Sequence, residues 1–381
     1  MQQIIEQSWI AEAIQWRKTF HKHPELAFAE FETSNTIARL LSEWGLNVRT
    51  GIAGTGVVGT LGDGSGPRIG LRADIDALPI HETTGLEYKS AHPNVMHACG
   101  HDGHTAALLL AARQIAQSKF HNGTIHFIFQ PAEENEAGAK AMMDDGLFTQ
   151  APCDSVFAFH NWPDLPVGEC HASDSEMMAA FAVFDIDIKG DGGHAAMPQQ
   201  AAGVISAVAA IVGALHQIPA RLVSPLDPAV LTVTQIHSGT AWNVSPEIAT
   251  ISGTARWFTD RVGEKLHLHL NNIVEHVALA WGCTAEVRFN HRYPATLNDP
   301  DMAQIIRRAA KTANIHHVQC APSMASEDFA FLLKERPGAY VWLGSQRDGA
   351  NPGLHSSQFD FNDALVPIGA NLWTSLIAEL A

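Results

Sequence analysis

The chain has 381 residues, of which 17% are Asp, Glu, Lys or Arg and 46% belong to the apolar class, so it can bury a large core and is not disordered. Its 40 acidic residues against 24 basic ones leave a formal charge of −16, the wrong sign for neutralising phosphates, which argues against nucleic acid and anionic membrane as partners. At roughly 150 residues per domain the length suggests two domains. The N-terminal run MQQIIEQSWIAEAIQW interleaves Glu6 and Glu12 with its apolar residues and has no basic stretch ahead of an apolar one, so it does not read as a signal peptide. The longest apolar run, residues 204–215, is too short to span a bilayer. Five scattered cysteines, Cys99, Cys153, Cys170, Cys283 and Cys320, suit a reducing compartment, and the expectation is a cytoplasmic protein.

In chain order, residues 9–21 read as a helix with Ser8 as N-cap, and residues 33–44 as a second helix stopping at Gly45. Strands are expected at 57–61 and 68–72, a helix at 105–117, and further apolar strands at 124–130 and 155–159. Continuous apolar strands separated by helices predict a mostly parallel sheet covered on both faces, with ligands beyond the carboxyl ends of its strands. From about Ala180 the pattern changes: strand 181–189, helix 201–218, strands 230–237 and 247–258, helix 261–281, strand 283–289. That βαββαβ order is the ferredoxin-like split motif, an antiparallel sheet with two helices on one face. Helical patterns at 301–312 and 327–333, a strand at 340–343 and a helix at 364–380 then complete the first domain. The expected fold is therefore α/β. Residues 1–178 and 294–381 form a discontinuous domain with a mixed, mostly parallel sheet, interrupted by an inserted α+β domain at 179–293.

The densest chemical cluster is MHACGHDGH (96–104), which holds His97, Cys99, His101, Asp102 and His104 ahead of a helix. A thiolate and an imidazole two residues apart on a loop can reach one ion, and sulfur favours zinc or a similar first-row metal over magnesium or calcium. The plain alternative is a polar helix start with a buried cysteine. Glu133 and Glu134 follow the apolar run GTIHFIFQPA. Adjacent side chains diverge there, so one carboxylate can coordinate while the other faces water, or both can simply be solvated in a turn. His160 ends the run SVFAFH, and His355 lies in the loop NPGLHSS. Together Cys99, His101, Glu134, His160 and His355 can supply two ions if one ligand bridges, and the Cys99 thiolate is the natural bridge.

Seven runs occur in order: HKHPELAFAE (21–30), LRADIDALPI (71–80), MHACGHDGHTA (96–106), FQPAEE (129–134), FHNWP (159–163), GGHAAMP (192–198) and SEDFAFL (326–332). Together they resemble the metal-dependent amidohydrolases that include hippurate hydrolase, bacterial N-acyl-amino-acid aminoacylases and plant indole-acetyl-amino-acid hydrolases. The resemblance implies a catalytic α/β domain with a ferredoxin-like lid, and two divalent ions, zinc or manganese. It implies that Cys99 bridges the ions, that His101, Glu134, His160 and His355 complete the ligands, and that Glu133 is the general base. It further implies His194 near the substrate carbonyl, often in the active site of a dimer partner, so that the lid domain also dimerises. Asn243 and Arg256 fall where relatives hold the substrate carboxylate or steady the oxyanion, and Asp74 and Asp76 look like carboxylates standing behind the ligands. One departure is visible: GDGGHAAMP has Asp191 where relatives commonly carry Lys or Arg.

The glycine-rich run GIAGTGVVGTLGDGSG (51–66) lies between strands instead of opening a helix, so it reads as a hairpin and not as a nucleotide loop. His267, His269 and His276 have ordinary helix-face spacing and are assigned no metal. No GxSxG elbow is present, and Cys99 with His101 makes a poor nucleophile–base pair because neighbours two apart in a loop seldom align. A metal- or peptide-binding module would keep the ligands but needs no Glu133. Hydrolysis of an N-acyl-L-amino acid is the expected function. A dipeptidase or carboxypeptidase on the same scaffold is the nearest competitor, disfavoured because peptidase relatives usually bridge through Asp.

Overall fold

Four apolar runs become strands buried along nearly their whole length, Arg68–Asp74, Thr124–Gln130, Ser155–Trp162 and Gly338–Gly344, which only a sheet covered on both faces provides. The computed structural model describes residues 5–62, 66–118, 122–134 and 136–380. The chain divides into two units, Met1–Met177 with Thr296–Ala321 and Asp328–Ala381, and Met178–Ala295 with Pro322–Glu327.

The sheet of the first unit has eight strands in the order Asn47–Ile52, Gly56–Gly62, Thr124–Gln130, Arg68–Asp74, Ser155–Trp162, Gly338–Gly344, Glu169–His171, His316–His317. Its central pairings are parallel and its first two antiparallel, giving the mixed, mostly parallel α/β architecture expected. The alanine- and leucine-rich helix His101–Gln117 is buried over almost its whole surface. It packs against Gln7–Lys22, Leu365–Leu380 and the strand Arg68–Asp74.

The second unit has the expected βαββαβ order, with four antiparallel strands arranged Ala229–Ser238, Ile248–Trp257, Ala180–Lys189, Thr284–Tyr293. Burial alternates residue by residue along Ile248–Trp257, so one face of this sheet meets the helices Val204–Leu215 and Asp260–Ala280. Pro322–Glu327 joins this unit because Ala179 N donates to Ser323 O and Ala325 O, at 3.0 and 2.9 Å.

Local expectations shift in places. Ser8 lies inside the helix Gln7–Lys22, with Glu6 at the N-cap, because the helix begins before the first apolar residue of the pattern. The second helix, Phe31–Glu43, starts early because the Glu25 carboxylate accepts from Glu32 N and Thr33 N. The helix expected at 201–218 is Val204–Leu215, followed by a separate turn, Ile218–Arg221, with Pro near its start. The helix near 330 shortens to Ala330–Glu335, since the Asp328 carboxylate ahead of it is bonded to Arg72 and Ala139 N. The glycine-rich run forms the expected hairpin between Asn47–Ile52 and Gly56–Gly62, with Gly51 and Gly54 at φ +81° and +90°, and its residues 63–65 lie outside the described residues. Among the described residues no helix is long and apolar enough to cross a membrane.

Arg17 ties Gln7–Lys22 to the rest of the first unit. It is fully buried, with Nε 2.9 Å from Asp102, Nη1 3.3 Å from Asp363, and Nη2 on Asp360. Burial alone would pull this guanidinium down, but the three carboxylates outweigh it and hold it above its ordinary value. Arg17→Met should therefore cost about 3 kcal/mol, because it removes the buried guanidinium shared by Asp102, Asp360 and Asp363 and leaves them only His21, Arg347 and Lys18. A urea midpoint equal to wild type would show that the carboxylates are solvated instead.

Candidate metal centre

The loop 96–100, the carboxyl ends of Thr124–Gln130 and Ser155–Trp162 and the loop holding His355 bring expected ligands close together, the usual position for a ligand in such a sheet. Gly100 makes the approach possible: its φ is +94°, and a Cβ there would come within 2.2 Å of Asn161 Oδ1.

Cys99 Sγ lies 3.4 Å from His160 Nε2. Ligand atoms of Cys99, His101 and His160 fall within 4.8 Å of one another, as do those of Cys99, Glu134 and His355, and those of His101, Glu133 and Glu134. Cys99 is thus common to two three-ligand groups. His101 turns Nδ1 to the carbonyl of Asp76 (2.9 Å) and to its carboxylate (3.2 Å), and among the described residues the buried Nε2 has no hydrogen-bond partner, with Asp74 Oδ2 3.7 Å away. His160 likewise turns Nδ1 to Asn161 O, 2.8 Å away. Glu134 N donates to Asp76 Oδ2, and Glu134 Oε1 lies 3.0 Å from His355 Nε2. His355 is held at φ +62°, and its N donates to Ala98 O, tying its loop to the Cys99 loop. This is a set of sulfur, imidazole and carboxylate donors whose ring orientations are fixed from behind, and it fits a pair of borderline divalent ions.

Behind the ligands, His104 bonds Asp74 through Nδ1 and Asn161 through Nε2, both at 2.6 Å, and Asp74 also accepts from Arg72 at 2.8 Å. Arg72 continues to Gln130 (2.7 Å) and Asp328 (3.0 Å). Asp76 thus reaches His101 and the Glu134 amide, whereas Asp74 reaches His104 and Arg72. His104, Arg72, Asn161 and Asp328 were not singled out for this role. The available signal was an arginine inside an apolar strand, which must be paired if buried.

Burial pushes the Cys99 thiol well up, and Glu134, Glu133 and Asp74 add to it. Burial opposes charge on His101, but Asp74, Asp76 and Glu134 carry it up to about 10. Burial pushes His160 well down, with His104 adding to the effect. A thiol must lose its proton to ligate, and burial works against that loss at Cys99. Adding zinc to the metal-free protein at pH 7 should therefore release about one proton or more per chain. A pH-stat trace without proton release would exclude Cys99 as a thiolate ligand.

The remaining candidates lie in the second unit. His194, on the short strand Gly193–His194, and Asn243 line one cavity of about 650 Å³, with Ala195 N donating to Asn243 O at 3.1 Å. Arg256 donates from Nη1 to Met324 O (2.8 Å) and Ser326 Oγ (3.0 Å), and its guanidinium sits 4.6 Å over the Phe181 ring. Asp191 is exposed. His267 stacks on Phe289 at 4.6 Å, and among the described residues no three-ligand group contains His267, His269 or His276.

Peptidase family M20/M25/M40 matches residues 70–379. A hippurate hydrolase from Campylobacter jejuni is 38% identical over 367 residues, covering 94% of this chain and 94% of the relative. An N-acetyl-L-cysteine deacetylase from Bacillus subtilis is 40% identical over 334 residues, 87% of this chain and 80% of the relative. A solved Bacillus subtilis structure, a dinuclear metal binding peptidase from the M20 family, superposes with a TM-score of 0.86 at 32% identity, over 98% of this chain and 99% of the other.

Proposed function

The chain belongs to peptidase family M20/M25/M40, and from that premise we propose that it hydrolyses the amide of an N-acyl-L-amino acid to a carboxylic acid and a free amino acid. The observation that carries this reading is the sharing of Cys99 by two three-ligand groups, with Glu133 beside His101 and Glu134. Cys99, His101, Glu134, His160 and His355 would hold two divalent ions, zinc or manganese. Such ions polarise a carbonyl and lower the pKa of a water, the two things amide hydrolysis lacks at neutral pH. Glu133 takes the proton of the attacking water and delivers it to the leaving amine. His194 steadies the carbonyl oxygen, and Asn243 and Arg256 hold the substrate carboxylate, roles that rest on the family resemblance. Hippurate and N-acetyl-L-cysteine, the compounds named for two relatives, are both N-acyl amino acids.

The same reading makes the second unit a lid and the site of homodimerisation, supported by the strand Ala229–Ser238, which stands at the edge of its sheet. It also places the protein in the cytoplasm, supported by five free cysteines. The peptidase family and the peptidase named among the solved structures favour a second reading, cleavage of a peptide bond, as by a dipeptidase or carboxypeptidase. A panel of acetyl, benzoyl, indole-acetyl and dipeptide substrates, with metal content measured in parallel, decides between them. Turnover of dipeptides alone would replace the first reading by the second.

Arg256→Ala should lose about 1.5–3 kcal/mol in kcat/KM on free acids, the worth of a charge-assisted hydrogen bond, and Arg256→Lys should recover only part. Substrate amides or esters lacking the carboxylate should lose much less. If acids and amides respond equally, Arg256 serves only its bonds to Met324 and Ser326, and Asn243 becomes the residue to test.

A further inference from the structure

Glu30 ends the run HKHPELAFAE and is fully buried. Among the described residues no lysine, arginine or histidine pairs with it. Instead Oε2 accepts from Thr55 Oγ1 at 2.6 Å, and Oε1 accepts from Ala132 N at 2.9 Å. Ala132 is itself unusual. Its φ is +55°, the left-handed region that a residue with a Cβ avoids, and it immediately precedes Glu133. Its carbonyl accepts from Gly138 N at 2.9 Å, and two residues on Glu134 N is held by Asp76 at 2.9 Å. The turn that leaves the strand Thr124–Gln130 is therefore clamped by a carboxylate at each end, with Glu133 between the clamps. Burial lifts the Glu30 carboxyl to about 7, so keeping an acid here works against its solvation, and a residue used only for filling space would not need one.

We propose that Glu30 is a positioning residue for Glu133: by holding the Ala132 N–H it keeps the left-handed turn that sets where the Glu133 carboxylate lies. This rests on reading Glu133 as the base, but the turn itself can be tested without that reading. Among the described residues the Glu30 carboxylate bonds Thr55 and Ala132 and no proposed ligand, so its loss should act on kcat and leave the metal content alone.

The experiment compares wild type, Glu30→Ala, Glu30→Gln and the double variant Glu30→Ala with Ala132→Gly, all metal-loaded, using hippurate or the best panel substrate. Glu30→Ala should lower kcat about 10- to 100-fold, the scale of a small misplacement of a reacting group, with KM within about threefold and metal per chain unchanged. Glu30→Gln should keep most of the rate, because its amide oxygen still accepts the Ala132 N–H while the Thr55 hydroxyl turns to accept. Ala132→Gly in the Glu30→Ala background should recover about threefold or more, since glycine enters the left-handed region without a Cβ clash. A kcat for Glu30→Ala within twofold of wild type, a loss that follows lost metal, or Gln no better than Ala overturns the proposal. Hydrogen exchange at the Ala132 amide supplies the readout that needs no turnover. It should accelerate in Glu30→Ala and stay slow in Glu30→Gln, with the strand Thr124–Gln130 unaffected, and unchanged exchange overturns the proposal. A wild-type protein inert on every substrate would thus remove the hydrolase reading and still leave this one decided. If Glu30→Ala does not fold, Thr55→Val, which frees the other carboxylate oxygen, should lower kcat several-fold at constant KM; an unchanged kcat there likewise counts against it.

Discussion

Glu133→Gln is expected to lower kcat by about two to four decades while the protein keeps its full metal content, because the change removes a proton acceptor without removing a ligand. The structure gives the substitution a clean meaning. Glu133 is 7% exposed, and its carboxylate lies within 4.8 Å of ligand atoms of His101 and Glu134. Glutamine has the same size and can accept hydrogen bonds, so the packing of the 131–134 turn survives, but an amide cannot carry the water's proton to the leaving amine. KM should move little, since the lost interaction belongs to the transition state. Steady-state kinetics with metal analysis on the same sample check this. Wild-type turnover at full occupancy would sink the mechanism, and loss of metal would make Glu133 a ligand.

The second large effect is expected at Cys99. Because two of the three-ligand groups contain its sulfur, Cys99→Ser damages both of those at once, whereas changing His160 or His355 touches one. A serine hydroxyl stays protonated where a thiolate bridges, so it neither neutralises charge between two ions nor binds them as softly. Dialysis followed by metal analysis should show the ion count per chain falling by about half or more, with activity lost in step. An unchanged count would reduce Cys99 to a core residue, which its burial alone would also explain.

Most of the fold and of the candidate metal centre was legible in sequence because it rests on local pattern. Apolar runs long enough to be central strands declare themselves, and a sheet of that kind gathers whatever follows its strand ends. Glu134 and His160 sit at or near such ends, Cys99 and His101 lie where a loop opens the buried helix His101–Gln117, and His355 is drawn in by a loop bonded to Ala98. What escaped is set by partners far along the chain. Asn47–Ile52 is mostly exposed, and Glu169–His171 and His316–His317 are too short to show a period; each is a strand only because a neighbour pairs with it. Pro322–Glu327 belongs with the second unit through backbone bonds to Ala179, which no side-chain pattern announces. Glu30 and Asp328 are carboxylates in irregular stretches, and their partners, Ala132 and Arg72, lie 102 and 256 residues away in sequence.

The division of the chain has a kinetic consequence. The second unit's sheet closes entirely within residues 180–293, by antiparallel pairings between segments near one another in sequence. In the first unit, Ser155–Trp162 must wait for Gly338–Gly344, and His101–Gln117 for Leu365–Leu380. Closing loops of such length is slow, so the inserted segment should reach native protection first on refolding, while the ligand-bearing sheet is still open. Any ion that binds only the native centre then stabilises the late-forming part alone. Pulse-labelled refolding with and without added zinc should show two phases, the faster one indifferent to metal.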